Sequence, residues 1–356
     1  MRDNWTYKKL GEVCEIVMGQ SPDGNSINEN EGIEFHQGKT CFGERFLTPS
    51  DVYTSKPAKY AKANSVLLCV RAPVGFPNIT KRRICIGRGL CSLVCNKEIT
   101  NMFLFYSLLG KQGYFEKNST GSTFKAISSK VVSNANIPIP PLSEQQSIVA
   151  ELDKINELIS LKKAQLKDLD ALAQSIFYDM FGDPIENEKG WEVKKFGDVY
   201  KLKSGDGLSS KNFEDGPYPV FGGNGISGTH KTYNMDGEYI IIGRVGVYCG
   251  NVRYVKGQFW LTDNAFQLIY DRTKQIHIFI KHLLSIMDLH QYANQAAQPV
   301  ISNITLKDAK VIFPPLSLQQ EFAKRIELIE QQKAQISSTI KDLETLLASR
   351  MQYWFD

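Results

Sequence analysis

The sequence predicts an α+β chain built twice: two mixed globular units, each followed by one long helix. Three observations predict it. Residues 137–181 and 311–355 align without a gap at one constant offset, from Pro140 against Pro314 to Phe181 against Phe355. The stretch Trp5–Val13 (WTYKKLGEV) matches Trp191–Val199 (WEVKKFGDV), with Gly19 facing Gly205. Between these anchors both halves run through the same order of short apolar strands, turns and one apolar helix. A repeat of this length decides the architecture before any local element is weighed. It divides the 356 residues into a globular unit 1–139, a helical region 140–185, a second globular unit 186–313 and a second helical region 314–356.

In the first unit, Ser65–Val70 is an apolar run of buried-strand length, and Arg71-Ala-Pro-Val-Gly after it is a turn. Arg83–Ile86 and Leu90–Val94 read as further strands. Ile99–Leu109 reads as an apolar helix ended by Gly110. Gly121–Ser128 is a polar loop, and Ala135–Pro138 leads into the long helix. The second unit repeats the order: strand Tyr239–Ile242, turn Gly243–Gly246, strands Val252–Val255 and Ala265–Ile269, helix Ile276–Tyr292, loop Gln295–Ser302. Arg71 and Arg244 fall at the same place after the same strand. Each unit is therefore α+β.

Both long helices open on Pro-Pro-Leu-Ser-x-Gln-Gln. Proline leads into a helix but does not continue one. Ser143 and Ser317 are expected as N-caps, with Gln146 and Gln320 three residues on completing capping boxes. Apolar residues then step by four and three: Ile148, Leu152, Ile155, Ile159, Leu166, Leu169, Ala173, Ile176 and Met180. The second copy gives Phe322, Ile326, Ile329, Ile336, Ile340, Leu343 and Leu347, closed by Trp354. Such heptad seams pair with one another. Gly182-Asp183-Pro184 stops the first helix. From Ser143 to Met180 the rise is roughly 57 Å, a spacer rather than an ordinary core helix.

Composition narrows the class. No run of eighteen apolar residues exists, and the N-terminal stretch carries no signal-peptide core, so a cytoplasmic protein is expected. Seven cysteines without a Cys-x-x-Cys pair read as reduced, mostly buried thiols. Net charge is +4. The globular units are positive and the helical regions negative, so an anionic partner such as nucleic acid meets the globular units.

Catalytic motifs fail on inspection. Gly223-Asn-Gly225-Ile-Ser-Gly228 matches a dinucleotide fingerprint, but no helix pattern follows it. Asp183 with Glu192 and Lys194 loosely matches a nuclease set, yet it lies in the linker and has no copy in the other half. The five histidines form no His-Glu-x-x-His, and no phosphate-binding loop is present. The Asp/Asn-Pro-Pro-aromatic motif of adenine methyltransferases is missing, because both Pro-Pro pairs precede Leu.

The chain resembles the specificity subunit of type I restriction-modification systems over nearly its whole length. The paired Pro-Pro-Leu-Ser-(Glu/Leu)-Gln-Gln starts, Pro219-Val-Phe-Gly-Gly-Asn-Gly-Ile-Ser-Gly and the Ile-Ser pairs at 127–128 and 301–302 carry the resemblance. It implies that each globular unit is a target recognition domain reading half of a split site in double-stranded DNA. The helices then pack as an antiparallel coiled coil whose length sets the gap. Each helical region docks one of two methyltransferase subunits, through Glu144, Gln145 and Gln146 and through Gln319 and Gln320. S-adenosylmethionine belongs to that partner, so no cofactor is expected in this chain. Motor-nuclease subunits complete the complex, and no membrane is involved. Leu318 departs from the pattern where the first copy has Glu144.

For phosphate contacts the expected residues are Lys81, Arg82, Arg83 and Lys125 in the first unit, and Lys211, Lys231 and Arg253 in the second. For base edges they are Gln20, Ser21, Arg71, Ser122 and Thr123, then Ser204, Arg244, Gln295 and Gln298. Arg reads guanine and Gln reads adenine in that scheme. A non-catalytic subunit is expected; the alternative is a coiled-coil scaffold that binds DNA without sequence preference, and the missing motifs argue against a third reading, an enzyme with an unrecognised site.

Overall fold

The computed structural model describes residues 5–121, 125–294 and 298–355. The chain divides into two compact units. One holds the residues up to Lys162 and those from Thr339 on; the other is Lys163–Ser338. Each unit thus contains one globular part and one stretch of each long helix.

In the first unit a four-stranded sheet runs in the order Cys14–Met18, Leu90–Cys95, Val66–Cys69, Pro77–Ile79. A second sheet of short strands is centred on Ile33–His36 and Ile84–Ile86. Val66–Cys69 is wholly buried, as its unbroken apolar run requires. The helix Asn101–Gly110 packs beside it, its start capped by Thr100, whose hydroxyl accepts from Phe103 N–H at 3.3 Å. This helix is apolar all round and correspondingly buried all round, with Phe103, Leu104 and Leu108 fully enclosed. Thr6–Lys9 pairs antiparallel with Asn136–Ile139, which ties the Trp5 region to the strand feeding the long helix.

The second unit keeps this plan with a larger sheet. Six strands run in the order Lys201–Ser204, Ala265–Ile269, Met235–Gly243, Val252–Leu261, Tyr218–Gly222, Gly225–His230. Val252 starts the expected strand, but pairing with Met235–Gly243 as far as Phe259, and with Tyr218–Gly222 beyond it, carries it on to Leu261. The Gly223–Gly228 stretch is a hairpin turn running into a strand, so no helix stands ready for a pyrophosphate. Val193–Lys195 pairs with Lys310–Ile312, the counterpart of the first unit's small sheet. The helix expected over 276–292 divides. His277–Ile286 is α-helical, and a separate 3-10 turn covers Leu289–Tyr292. Asp288 between them has φ 46°; a left-handed residue cannot continue a right-handed helix.

The long helices span Leu142–Phe181 and Leu316–Phe355. Each starts one residue before the serine expected to cap it. The Pro141 carbonyl already accepts from the N–H groups of Glu144 and Gln145 at 2.9 and 3.0 Å, so Ser143 lies inside the first turn. Pro315 does the same for Leu318 and Gln319. The N–H of Glu144 and of Leu318, the donor a serine cap would serve, is already taken by the proline carbonyl, and the proline itself brings no N–H that needs a partner. The seams are where the heptads place them: Ile148, Leu152, Ile155, Ile159, Leu169, Ala173 and Met180 are buried, as are Phe322, Ile326, Ile329, Ile336 and Ile340. The helices run antiparallel. In the first unit Glu151 accepts from Arg350 Nη2 and Trp354 Nε1, both at 3.0 Å. In the second, Phe177 lies 5.6 Å from Phe322 and Lys333 reaches Asp170 at 2.7 Å. Gly182, at φ +72°, closes the first helix in the conformation glycine adopts without penalty.

Candidate nucleic-acid interface

In each unit several loops meet at one end of the sheet. In the second unit they are the hairpin turn after Gly222, the turn Arg244–Asn251, the turn Thr262–Asn264 and the segment Gln298–Ile301. Backbone bonds knit them together. Arg244 N–H donates to Asn264 C=O at 2.9 Å, Gly246 N–H to Pro299 C=O at 3.0 Å, and Ile301 N–H to Arg244 C=O at 2.9 Å. A Cβ on Gly223 would stand 3.0 and 3.1 Å from the carbonyls of Asn264 and Val245. Asn224, Asn251, Asn264 and Gln298 are exposed on these loops.

The first unit repeats the convergence. Gln20 N–H donates to Ile86 C=O at 3.0 Å, Gly87 N–H to His36 C=O at 2.8 Å, Val70 N–H to Gly89 C=O at 2.9 Å, and Ala72 N–H to Lys125 C=O at 2.9 Å. Gln20, Gln37, Arg71, Arg88 and Lys125 are exposed there. Amides and guanidinium groups on adjacent loops offer the paired donors and acceptors that base edges present in a DNA groove.

Matching bonds fix which residues correspond, and they correct the pairing of Arg71 with Arg244. Ile127 N–H meets Val70 C=O in one unit, and Ile301 N–H meets Arg244 C=O in the other. Arg71 bridges Ala126, and Val245 bridges Val300. Arg244 therefore corresponds to Val70, one residue earlier than Arg71. Along an extended chain that single step turns the side chain to the other face. Arg71 is exposed. Arg244 instead lies over the Phe266 ring at 5.5 Å and donates from Nη1 to Asp263 C=O at 3.2 Å, bracing the turn.

The expected phosphate contacts separate as well. Arg82 is an internal brace, donating from Nη2 to Glu34 Oε2 at 2.6 Å and from Nε to Oε1 at 2.9 Å. Burial alone would raise the Glu34 pKa, but hydrogen bonds from Arg82 and His36 hold it below the usual carboxylate range. Lys81 and Arg83 are exposed but fold over rings, at 4.0 Å from Phe46 and 3.9 Å from Tyr60. They precede the strand Ile84–Ile86, whereas Arg88 follows it, so about 10 Å of strand separates them from the loop cluster. Lys231 pairs with Glu214 at 3.3 Å, at the far end of its hairpin from Gly222. Lys211 is exposed in the turn Ser210–Asn212. Arg253 is half-buried and donates to Asn224 C=O at 3.0 Å, supporting the hairpin turn. Lys125 is exposed within the cluster. The Ser21 hydroxyl is buried, with no hydrogen-bond partner among the described residues; Ser204 is exposed at its strand end. Ser122, Thr123 and Gln295 lie outside the described residues.

Gln145 and Gln319 also need correction. Both are fully buried and spent inside the fold. Gln145 accepts from Thr100 N–H at 2.9 Å and donates to the carbonyls of Glu98 and Pro140 at 2.7 and 3.0 Å. Gln319 accepts from Ile276 N–H at 3.0 Å and donates to Pro314 C=O at 2.9 Å. Each amide staples the entry of the globular unit's helix to the start of the long helix. These are hydrogen bonds between chain segments that would otherwise bury unpaired backbone groups. Gln146, Gln320 and the half-buried Glu144 remain at the surface.

Gln37, Arg88, Asn224, Asn251 and Asn264 escaped the sequence reading. Their signal was present: all but Gln37 sit on turns directly beside a recognisable strand. Among the described residues no set of three His, Cys, Asp or Glu side chains is placed to hold a metal ion.

Comparison with known proteins accords with this architecture. The sequence matches the type I restriction modification DNA specificity domain twice, over residues 2–171 and 188–345. It is 39% identical over 178 residues to a putative type I restriction enzyme specificity subunit, MjaX, of Methanocaldococcus jannaschii, covering 49% of this chain but only 42% of that one. It is 31% identical over 288 residues to the EcoprrI specificity subunit of Escherichia coli, covering 74% of this chain and 70% of that one. Its fold resembles the S subunit of a type I system from M. genitalium, with TM-score 0.57 at 19% identity over 98% of this chain and 95% of that one. It also resembles a chain from a structural study of type I R-M complex assembly, with TM-score 0.65 at 17% identity over 100% and 98%. With both halves matched and the duplicated plan in place, the chain belongs to the type I restriction-modification DNA specificity family.

Proposed function

We propose that this chain is the sequence-reading subunit of a type I restriction-modification enzyme, performing recognition and leaving chemistry to its partners. The observation that carries the reading is the loop cluster built twice on one plan with different side chains. Residues 1–139 and 186–313 then act as two recognition domains, each reading one half of a bipartite site in double-stranded DNA. Gln20, Arg71 and Lys125 with Arg88 face the first half, and Asn224, Asn251, Asn264 and Gln298 the second. Residues 140–185 and 314–356 are the spacer, and its length sets the gap between half-sites. A continuous 40-residue helix rises about 60 Å, against about 34–36 Å between successive major-groove faces. Two methyltransferase subunits carrying S-adenosylmethionine dock on the helical regions near Glu144, Gln146 and Gln320, and motor-nuclease subunits join them. No described helix is long and apolar enough to cross a membrane, and a cytoplasmic location fits this role.

The test is to map adenine methylation left by this chain with its cognate methyltransferase, with and without one heptad inserted in both 150–175 and the facing part of 316–355. The expected result is a split motif whose two halves persist while the gap lengthens. An unsplit motif refutes the two-domain reader, and an unchanged gap refutes the ruler.

A further inference from the structure

The turn Arg244–Asn251 carries two apolar side chains outward. Val247 is 81% exposed and Tyr248 53% exposed, side by side. The turn around them is held firmly. Cys249 N–H donates to Gly246 C=O at 2.9 Å, Gly250 N–H to Gly243 C=O at 2.8 Å, and Asn251 N–H to Tyr248 C=O at 3.2 Å. Gly246 and Gly250 supply the two positive φ angles, +82° and +88°, that make the bend possible. Beneath the tip, Cys249 is buried with its Sγ 3.2 Å from His290 Nδ1. The tip is therefore anchored from below, while its apolar groups point to solvent.

The first unit shows what is particular here. Arg71 corresponds to Val245, and Gly75, whose N–H donates to Cys69 C=O, corresponds to Gly250. Between these points the first unit has three residues, Ala72, Pro73 and Val74, and the second has four. Val74 and Cys249 are the matching buried anchors, at 3% and 2% exposure. Val247 and Tyr248 together stand where the first unit has Pro73 alone. Where the first unit presents only the exposed ring of Pro73 at its tip, the second presents an aliphatic and an aromatic group, with exposed Asn251 closing the same turn. A change of side-chain chemistry at one matched loop is what two domains reading different bases require. A polar amide beside an apolar tip matches a base edge with a hydrogen-bonding group and one methyl, and in the major groove thymine alone presents that methyl.

We propose that Val247 and Tyr248 form an apolar reading tip that contacts the C5-methyl of one thymine in the half-site taken by the second unit. The inference rests on the function proposed above. The experiment titrates the complex of this chain with its methyltransferase subunits against synthetic duplexes in which each thymine of the site, on either strand, is replaced singly by deoxyuridine. Wild-type complex should bind one second-half duplex about four-fold more weakly, the effect of one lost methyl contact. A Val247→Ala, Tyr248→Ala double variant should bind that duplex and its parent equally, while keeping its response to first-half substitutions. The proposal is overturned by a wild-type complex indifferent to every second-half replacement, or by a variant that retains the wild-type pattern. It is also overturned by a variant whose defect is failure to assemble with the methyltransferase, which would assign the tip to a protein contact. A complex that selects no duplex at all would instead refute the underlying function.

Discussion

The junction between globular unit and long helix is built twice from the same backbone and filled with different chemistry. In the first unit it is polar at its edge. Tyr106 Oη donates to Asp153 at 2.7 Å and accepts from Arg45 and Asn156 at 2.9 and 3.2 Å. Inside, Trp5 stacks on Trp354 at 6.1 Å, and Phe103 meets Phe355 at 5.5 Å. In the second unit four phenylalanines fill the same joint: Phe181 lies 4.8 Å from Phe279, 5.0 Å from Phe177 and 5.4 Å from Phe322. The residue corresponding to Tyr106 is His282, its ring edge-on to Phe322 at 5.3 Å. Burial, reinforced by Lys281 and Lys333, pushes its pKa down to about 3. What the two junctions share to the atom is the glutamine staple. Both joints keep aromatic packing inside, and only the edge position differs: Tyr106 carries a hydroxyl with three partners where His282 lies against a ring. Neither joint can drop the staple without stranding backbone polar groups.

The largest effect that tests this contrast is Phe279→Ala, which removes one fully buried ring of the aromatic cluster and should cost about 3–5 kcal/mol. Amide hydrogen exchange over 277–286 should quicken accordingly, and retained protection would show that the cluster is not what holds this joint. Next comes the shared element. Gln145→Leu and Gln319→Leu should each cost about 1–3 kcal/mol, because each leaves a helix-entry N–H without its acceptor. Chemical denaturation of both variants checks it; a loss in one only would mean the staples are not equivalent. The last effect is the pH slope that His282 contributes to the second unit. An unfolded histidine titrates near 6.5, so the stability contributed by a neutral His282 is complete above that pH. It falls away as pH drops toward about 3, by at most about 1.4 kcal/mol per pH unit. His282→Tyr, which copies the first unit's residue, should flatten that slope between pH 6.5 and 4.5; an unaltered slope would assign it elsewhere.

Much of this was legible in one dimension. The duplication, the strands Val66–Cys69 and Ala265–Ile269 and both heptad seams follow from periodicity, because burial along a regular element leaves a regular trace. The short strands Ile27–Asn28, Tyr53–Thr54 and Tyr60–Ala61 left no such trace; two residues carry no period. The loop residues were half legible. Gln20, Arg71, Lys125 and Gln298 fell where loops converge, whereas Arg82 did not, since a guanidinium that braces Glu34 looks the same in sequence as one that meets a phosphate.

The sequence alone determined the doubled plan, the order of elements within each half and the pairing of the two long helices. These depend on repeated patterns of apolar residues, which need only to be read along the chain. Tertiary structure decided which polar residues are structural. Gln145 and Gln319 stand in the most recognisable motif of the chain and are wholly internal, because their partners lie 45 and 43 residues away. It also decided that Arg71 and Arg244 are not counterparts. Side-chain direction in an extended segment reverses with every residue, and only the cross-chain hydrogen bonds set which residue stands opposite which.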